Sequence, residues 1–301
     1  INNQSTKLLF HKRLDRTGGS AYAGTSYFRD ACISHDKTTG YAVGSWIDGI
    51  GLDQGESNII LCKFNYQTGA NIANYSLGHS SYDTPNCISI DSSDNLFIAG
   101  TTTQGSNPWW EYRCLITKVN SSGVIQWKKY IANSTTDQIR SIEDIVLDSS
   151  GNVYGIGQNS DSSNGAFFVF KMTSAGVLSW VTKITVNVNT NKIPYASAID
   201  IAGEDENLYF LFTYNTNPSG GTSQTYRSIG AGVKYPNDGS KTGTYGDLIF
   251  TSVTNFTASD ASLTSVTASR VGYVDSAQDE NDAYPSDSYS NGNPTLTKVN
   301  I

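Results

Sequence analysis

A short motif that recurs along the chain constrains the fold more than any other feature of the sequence. The motif is a polar turn that begins with Asp and runs directly into a short apolar strand, and it recurs roughly every 50 residues. A module repeated head to tail at this spacing indicates a repeat architecture, in which each unit packs on its neighbours. The copies lie at 36–44 (DKTTGYAVG), 91–100 (DSSDNLFIAG), 148–157 (DSSGNVYGIG) and, in degenerate form, 203–212 (GEDENLYFLF).

Each unit divides into four short predicted strands. A first strand leads into the Asp turn, a second strand follows, a variable loop leads to a third strand, and a turn ending in Gly precedes the fourth. No run of about 10–15 residues has helical periodicity. The 28 Gly residues and the 11% of aromatic residues suit turns and pleated strands. The sequence therefore predicts an all-β fold, a β-propeller of four-stranded antiparallel blades, with a β-sandwich array and a β-helix as the alternatives.

The two ends of the chain fall outside the repeated units. Residues 7–14 match 126–131, the last strand of the second unit, with Phe10 in the place of Trp127. Because the fourth unit is predicted to have its own fourth strand at 244–250, we expect 7–14 to belong to a preceding blade outside this chain. Alternatively, it completes the last sheet and closes the ring. The predicted division is 1–29 as the last strand of a preceding or closing blade plus a linker, 30–255 as four blades (about 30–80, 81–135, 136–192 and 193–255), and 256–301 as an irregular Ser/Thr-rich and acidic tail or connector.

Cysteines and lysines occupy repeated positions, which favours structural roles for both. Two strand positions carry a Cys in two successive units, so we expect buried thiols that pack as small hydrophobic side chains. No two Cys are spaced as zinc ligands, and free thiols suit a reducing cytosol. A Lys recurs before the second turn of all four units, so we expect its stem to pack along the strand and its charge to lie at the rim. The residues are Cys32, Cys87, Cys62 and Cys114, and Lys63, Lys118, Lys171 and Lys234.

Charge and motif content argue against several classes of function. The net charge is −7 and Lys and Arg form no stripe, so we expect no nucleic-acid partner. No apolar run approaches about 18 residues, so we expect no membrane insertion. None of the three His residues lies in a metal or triad motif, and the chain has no Gly-x-Ser-x-Gly elbow or phosphate-binding loop. We therefore predict that the protein is not an enzyme.

Function is expected where the repeated units differ. The loop at 104–112 (QGSNPWWEY) carries aromatic residues that could stack on sugar rings or anchor a protein partner, although one Trp covering the sheet edge is the alternative. The segment 275–288 is acidic and turn-like, which allows a calcium site, although a solvated linker is the favoured interpretation. Candidate binding residues are Trp109, Trp110 and Tyr112, weak calcium candidates are Asp275, Asp279, Glu280 and Asp282, and no catalytic residue or further cofactor is predicted.

Two signatures in the sequence resemble known proteins. The motif at 148–154 (DSSGNVY) and the spacing Lys-x4-Gly-x3-Trp resemble the propeller repeats of bacterial and phage proteins. The junction at 234–246 (KYPNDGSKTGTYG), with the Ser/Thr/Ala-rich text and the SLTS at 262–265 that follow it, looks like large structural proteins of tailed phages that infect marine cyanobacteria. The resemblance implies a component of the virion, assembled in the host cytoplasm, such as a tail-fibre-like, baseplate-associated or capsid-decorating protein.

The predicted function is a non-enzymatic structural role in the virion. The propeller would be a rigid platform that recognises a host-surface glycan or protein receptor, or that decorates the particle. Its partners would be other virion proteins, and the prediction allows a homo-oligomer. The alternatives are a secreted or cell-surface bacterial module that binds carbohydrate or protein and, less favoured, a propeller enzyme that degrades polysaccharide.

Overall fold

Strands joined by turns and loops make up the fold, which is known from a computed structural model. The structure describes residues 13–16, 26–47, 57–78, 82–104, 111–133, 139–159, 166–186, 194–202, 206–216, 227–246, 248–261, 264–267 and 271–274. These residues form 21 strands and no helix. The predicted fold class is confirmed, because four antiparallel sheets are arranged as the blades of a β-propeller.

Each blade begins at an inner strand, A, and continues outward through strands B, C and D, with each strand antiparallel to the one before it. The A strands of successive blades lie next to one another and form the wall of the central channel. In the first blade, strands A to D are β2 (Ser26–Ile33), β3 (Thr39–Ile47), β4 (Ser57–Asn65) and β5 (Asn71–Gly78). In the second blade they are β6 (Asp83–Ile90), β7 (Leu96–Gln104), β8 (Glu111–Val119) and β9 (Ile125–Asn133).

The third and fourth blades follow the same order, but the fourth has only three strands among the described residues. Every A strand has a register shift against its B strand, so all four inner strands carry a β-bulge at an equivalent place. In the third blade, strands A to D are β10 (Ser141–Leu147), β11 (Val153–Asn159), β12 (Ala166–Met172) and β13 (Leu178–Val186). The fourth blade consists of β14 (Pro194–Ala202), β15 (Asn207–Thr216) and β16 (Arg227–Tyr235).

After the fourth blade the chain turns back and adds one further strand, E, to the outer edge of each earlier blade in reverse order. All these strands are antiparallel to the D strands that they join. A D strand left at the edge of a sheet would expose a row of unpaired backbone N–H and C=O groups, and the returning strands cover three such edges. They are β17 (Gly243–Tyr245) and β18 (Leu248–Val253) on the third blade, β19 (Phe256–Asp260) on the second, β20 (Thr264–Thr267) on the first, and β21 (Val271–Val274), which pairs with β1 (Arg13–Arg16).

The returning path differs from the sequence-based expectation for residues 244–250. The prediction that these residues form the fourth strand of the fourth blade is wrong, because β18 pairs with β13 of the third blade. The physical reason is visible at Phe250, which is buried and stacks on Tyr235 with ring centres 5.5 Å apart. This stacking anchors the segment across the interface between the third and fourth blades.

The C-terminal extension, predicted to be irregular, contains three short strands. In β19 the buried Phe256 and the half-buried Ala258 alternate with the exposed Thr257 and Ser259, which is the period-two pattern of a strand with one face on a core. Phe256 packs edge-to-face on Phe168 of the third blade at 5.3 Å between ring centres. This part of the extension is therefore integrated into the core between the second and third blades.

The described residues leave the propeller open between its fourth and first blades. Of the strand predicted at 7–14, Arg13 and Leu14 lie in β1, and the rest lies outside the described residues. β1 pairs with β21, and no described strand of the fourth blade pairs with either. Packing between described blades runs from the first through to the fourth, without extensive contact between the fourth and the first.

Aromatic residues of the D strands lock each blade to the turn of the next blade. The turn glycines have positive φ, +80° at Gly176 and +72° at Gly239, which is a conformation that favours glycine. A Cβ atom at Gly176 would lie only 3.0 Å from the Trp127 ring, so the absence of a side chain lets the ring lie flat against the turn. The Trp127 indole N–H also donates a hydrogen bond of 3.0 Å to the Ser174 carbonyl. The three pairs are Tyr75 with Gly123, Trp127 with Gly176, and Trp180 with Gly239.

The four repeated lysines have the structural role that the sequence predicts. Each lies directly opposite an aromatic residue of strand B, and its ammonium group lies 4.8–5.9 Å from the centre of that ring, within the range of a cation–π interaction. Lys63 also donates a hydrogen bond of 2.8 Å to the Ser121 carbonyl of the second blade. The pairs are Tyr41 with Lys63, Phe97 with Lys118, Tyr154 with Lys171, and Tyr209 with Lys234.

The repeated Asp turn is held by its own carboxylate. Asp148 accepts hydrogen bonds from the backbone amides of Ser150 (3.0 Å) and Asn152 (2.8 Å), and Gly151 takes the left-handed conformation with φ of +74°. Local hydrogen bonding therefore specifies the hairpin between strands A and B.

The expected burial of the cysteines is confirmed for three of the four residues. Cys62, Cys87 and Cys114 are buried and Cys32 is half-buried, and all four thiols are free. Burial raises the pKa of Cys62 and Cys114 to about 12, so these thiols stay protonated at neutral pH.

The contact between Trp127 and Gly176 predicts a specific loss of stability. Gly151→Ala is a matched control, because its φ is +74° and an added Cβ atom would approach only Ser174, at 3.6 Å. We expect Gly151→Ala to lower the free energy of unfolding by about 1 kcal/mol from backbone strain alone, and Gly176→Ala to lower it by about 2–4 kcal/mol, because the Cβ also displaces the indole. Chemical denaturation of both variants measures the difference, and equal losses would contradict the proposed interlock.

The burial of Phe256 between two blades predicts that the returning strand β19 contributes to the stability of the propeller. We expect Phe256→Ala to lower the free energy of unfolding by about 3–5 kcal/mol, because it removes a buried ring from the core between two blades. Thr257→Ala, at the exposed neighbouring position, should change it by less than about 0.5 kcal/mol. Denaturation curves that are the same for both variants would mean that β19 does not hold this core together.

Candidate binding surface

The two ends of the propeller differ in construction. The turns between strands A and B and between C and D lie at one end, called here the turn end, and they follow the repeat closely. The other ends of the strands, where strand B ends and strand C begins, lie at the opposite end, called here the loop end. Tyr112, at the start of strand C of the second blade, lies at the loop end.

Of the three candidate binding residues, Tyr112 lies among the described residues. It is the second residue of β8, and 51% of its surface is exposed. Trp109 and Trp110 lie in the segment 105–110, outside the described residues. The structure therefore places one member of the set, Tyr112, at the loop end.

Tyr112 is the outer member of a row of three side chains across the second blade. It lies opposite Thr103 of β7, and Thr103 exchanges two hydrogen bonds of 3.0 Å with Tyr82, one between backbones and one from the Tyr82 amide to the Thr103 hydroxyl. Residues directly opposite each other on antiparallel strands project from the same face. Tyr82, which the sequence reasoning missed, therefore lies on the same face as Tyr112. Its position just before an A strand, at a blade connection, was the available signal.

Rigid backbone supports the exposed Tyr112 side chain. Two residues further along β8, the Cys114 amide donates a hydrogen bond of 3.2 Å to the Ile139 carbonyl at the start of the third blade. Cys114 and Ile139 are both buried in the core between the two blades. The base of this surface is therefore fixed by two blades rather than by one loop.

The calcium candidates Asp275, Asp279, Glu280 and Asp282 lie outside the described residues. Within the part of the chain that the structure describes, no cluster of His, Cys, Asp or Glu side chains is arranged to hold a metal ion. A search of the same residues for a helix long and apolar enough to cross a membrane also found none.

The inner strands carry acidic residues that join neighbouring blades. Asp30 accepts a hydrogen bond of 2.9 Å from the Ile88 amide of the second blade, and Asp144 accepts one of 2.9 Å from the Ile199 amide of the fourth. The other carboxylate oxygen of each Asp accepts the amide of the next residue in its own strand at 2.8 Å. Both residues immediately follow the bulge of their A strand, which turns the carboxylate towards the next blade.

Asn86 of the second blade joins the third blade in the same way, through side-chain hydrogen bonds. Its side-chain amide donates hydrogen bonds of 2.9 Å to the Ile142 carbonyl and to the Ser141 hydroxyl. The sequence-based predictions did not single out Asp30, Asn86 or Asp144. Their first strands contain several polar residues and their partners lie 55 to 58 residues away, so no local sequence signal distinguished them.

The pKa of Asp144 is raised above the ordinary value of an aspartate. The main cause is burial, and the negative charges of Asp30 and Asp200 add to it. The hydrogen bonds that Asp144 accepts from two backbone amides lower its pKa, because they stabilise the ionised carboxylate. The contribution of Asp144 to folding is therefore fully present below its unfolded pKa and declines as pH rises through its folded pKa.

The sign of this pKa shift predicts how the effect of Asp144→Ala depends on pH. We expect the variant to be less stable than the wild type, by about 1–3 kcal/mol for each amide left without an acceptor, with a larger difference near pH 4 than near pH 7. Urea denaturation at the two pH values measures it. Asp36→Ala is the control with the opposite pH dependence. Hydrogen bonds from Ser34 and Thr38 lower the pKa of Asp36, so any loss of stability in this variant should be larger near pH 7 than near pH 4. A cost of Asp144→Ala that grows with pH would contradict the assignment.

Comparison of the sequence with models of known protein families finds no match, and comparison with curated proteins finds none either. What the protein does therefore has to be inferred from its own residues.

Proposed function

We propose that this protein is a non-enzymatic component of a phage particle, and that the loop end of its propeller recognises a glycan or protein receptor on the host surface. The observation that carries the proposal is the exposed Tyr112, held at the loop end by two packed blades and adjacent in sequence to Trp109 and Trp110. The resemblance to structural proteins of tailed phages of marine cyanobacteria supports the assignment to a particle.

The frame around Tyr112 is suited to presenting a binding surface. Three apolar cores lie between successive blades, and the returning strands β18, β19 and β20 cover the outer edges of three blades. Loops mounted on such a frame can vary in sequence and length without disturbing the core. Tyr112 itself lies within strand β8, so the strand restrains the position of its backbone and lowers the conformational entropy that is lost when a ligand binds.

Exposed aromatic rings match the chemistry of the proposed ligands. Tyr and Trp present large apolar faces together with a polar group, so they stack on sugar rings and act as anchors in protein interfaces. The net charge of −7 argues for an uncharged or weakly charged ligand, because a strongly anionic polysaccharide would be repelled.

Binding of the purified, fluorescently labelled protein to intact host cells tests the recognition part of the proposal. We expect Tyr112→Ala, and separately Trp109→Ala combined with Trp110→Ala, to weaken binding by about tenfold or more, because aromatic anchors of this kind carry most of the binding energy. Tyr66→Ala is the matched control, since Tyr66 is also an exposed aromatic residue, 37% exposed, but lies at the turn end. Its binding should equal that of the wild type.

Two further outcomes would overturn parts of the proposal. If Tyr66→Ala weakens binding as much as the loop-end variants do, the loop end is not the binding surface. If antibodies against the protein fail to label purified particles but label a bacterial surface, the protein is a cell-surface binding module instead. Release of sugars from host polysaccharide by the purified protein would contradict the non-enzymatic assignment.

A further inference from the structure

The fourth blade has fewer described strands than the other three. The first two sheets each contain strands A to D and one returning strand E, and the third contains strands A to D, its strand E (β18) and the short β17 beyond it. The sheet of the fourth blade, in contrast, ends at strand C, β16. The two-stranded sheet of β1 and β21 stands apart from all four blades. The fourth blade thus lacks the two outermost strands of a blade, and the separate sheet consists of two strands.

The order of the returning strands identifies β21 as a strand E. β18, β19 and β20 join the third, second and first blades in turn, so the next blade in this backward series is the one that precedes the first. In a ring of four blades, that preceding blade is the fourth. β21 is antiparallel to β1, just as β18, β19 and β20 are antiparallel to their D strands.

The sequence identifies β1 as a strand D. Residues 7–14 match 126–131, so Arg13 and Leu14 of β1 correspond to Tyr130 and Ile131 of β9, the D strand of the second blade. The reason for assigning this strand to a blade outside the chain was the predicted fourth strand at 244–250. That segment belongs to the third blade, so the objection no longer holds.

Exposed apolar side chains mark the two surfaces that such a blade would join. On the fourth blade, Tyr209 is 40% exposed and Leu211 is 58% exposed. The equivalent residues of the other blades, which face the next blade, are all buried. They are Tyr41 and Val43, Phe97 and Ala99, and Tyr154 and Ile156.

A matching exposure occurs on the inner strand of the first blade. Phe28 pairs with Gly44, as Pro85 pairs with Gly100 in the second blade. Phe28 is 42% exposed, whereas Pro85 is buried. The fourth blade thus exposes the face that, in the other three blades, packs on the next blade. The first blade exposes at Phe28 a position that is buried in the second blade.

We propose that the sheet of β14, β15 and β16 and the sheet of β1 and β21 are two parts of one five-stranded blade, and that antiparallel pairing of β16 with β1 of the same chain closes the ring. Closure would satisfy the backbone groups along the outer edge of β16, which pairs only with β15 among the described strands. It would also bring Tyr209 and Leu211 against the first blade and remove them from water.

The register of this pairing follows from the second blade, where Leu115 lies opposite Tyr130. Lys234 is equivalent to Lys118, so Ala231 is equivalent to Leu115, and Arg13 is equivalent to Tyr130. Closure therefore places Ala231 directly opposite Arg13. The same-chain β1 is the favoured occupant because its partner β21 begins at Val271, shortly after β20 ends at Thr267 on the first blade, and the first blade is the neighbour of the fourth in a four-bladed ring.

Disulfide formation in the double variant Arg13→Cys/Ala231→Cys tests the proposal. Under mild oxidation we expect an intrachain link between positions 13 and 231 in monomeric protein, identified by mass spectrometry of unreduced peptides. It should form at least about tenfold faster than any link in Ala231→Cys/Ser259→Cys, because directly opposite Cβ atoms are within disulfide range. In the control, Ser259 is an exposed residue of β19 on the second blade, so its Cys would lie on a different sheet.

Hydrogen exchange of the unmodified chain gives a second test that does not depend on how the Cys variants fold. If β16 pairs on both sides, the amides from Ile229 to Lys234 should exchange as slowly as those from Leu115 to Lys118, within about tenfold. Rapid exchange of every second amide in β16, a disulfide rate no greater than that of the control, or a link found only between two chains of a dimer would each overturn closure within one chain. The last result would instead indicate strand exchange with a second copy.

Discussion

The packing of apolar sheet faces against one another is the interaction on which the rest of the structure depends. A single sheet of four short strands has two faces and cannot bury both by itself, so each blade is stable only when its neighbours cover it. Three continuous cores result, each formed by the facing side chains of two successive blades. At Tyr209 and Leu211 of the fourth blade, against which no described blade packs on that side, the same residue positions are exposed.

The interfaces are specified by more than apolar area. At the inner strands, Asp30, Asn86 and Asp144 each hydrogen-bond to the backbone of the following blade. At the outer strands, Trp127 lies against Gly176 and binds the Ser174 carbonyl. Each interface is thus held at both its inner and its outer edge, and together these contacts orient each blade relative to the next.

Much of the fold follows from local sequence patterns. The Asp turn is specified by hydrogen bonds between residues within four positions of each other, and the strand pattern has a period of two, so neither needs long-range information. The structural role predicted from recurrence in the repeat is confirmed for the four lysines and for three of the four cysteines, because a residue that recurs at the same strand position in several units serves the packing of each unit. Tyr112 was identified from its place in the loop that differs most between units, and its exposure is consistent with that choice.

The repeated blade, the order of its strands and the structural role of its recurrent residues can be predicted from the sequence, because they depend on contacts between neighbours in the chain. The blade that each later strand joins is seen only in the folded molecule. The strand at 248–253 is compatible by pattern with the open edge of any blade. Its backbone pairs with β13 of the third blade, and from there Phe250 stacks on Tyr235 of the fourth. The same holds for Asp30 and Asp144, whose partners lie 58 and 55 residues away. Pairing between strands so distant in sequence depends on which edges and faces remain uncovered once the blades have packed, and no local pattern encodes that.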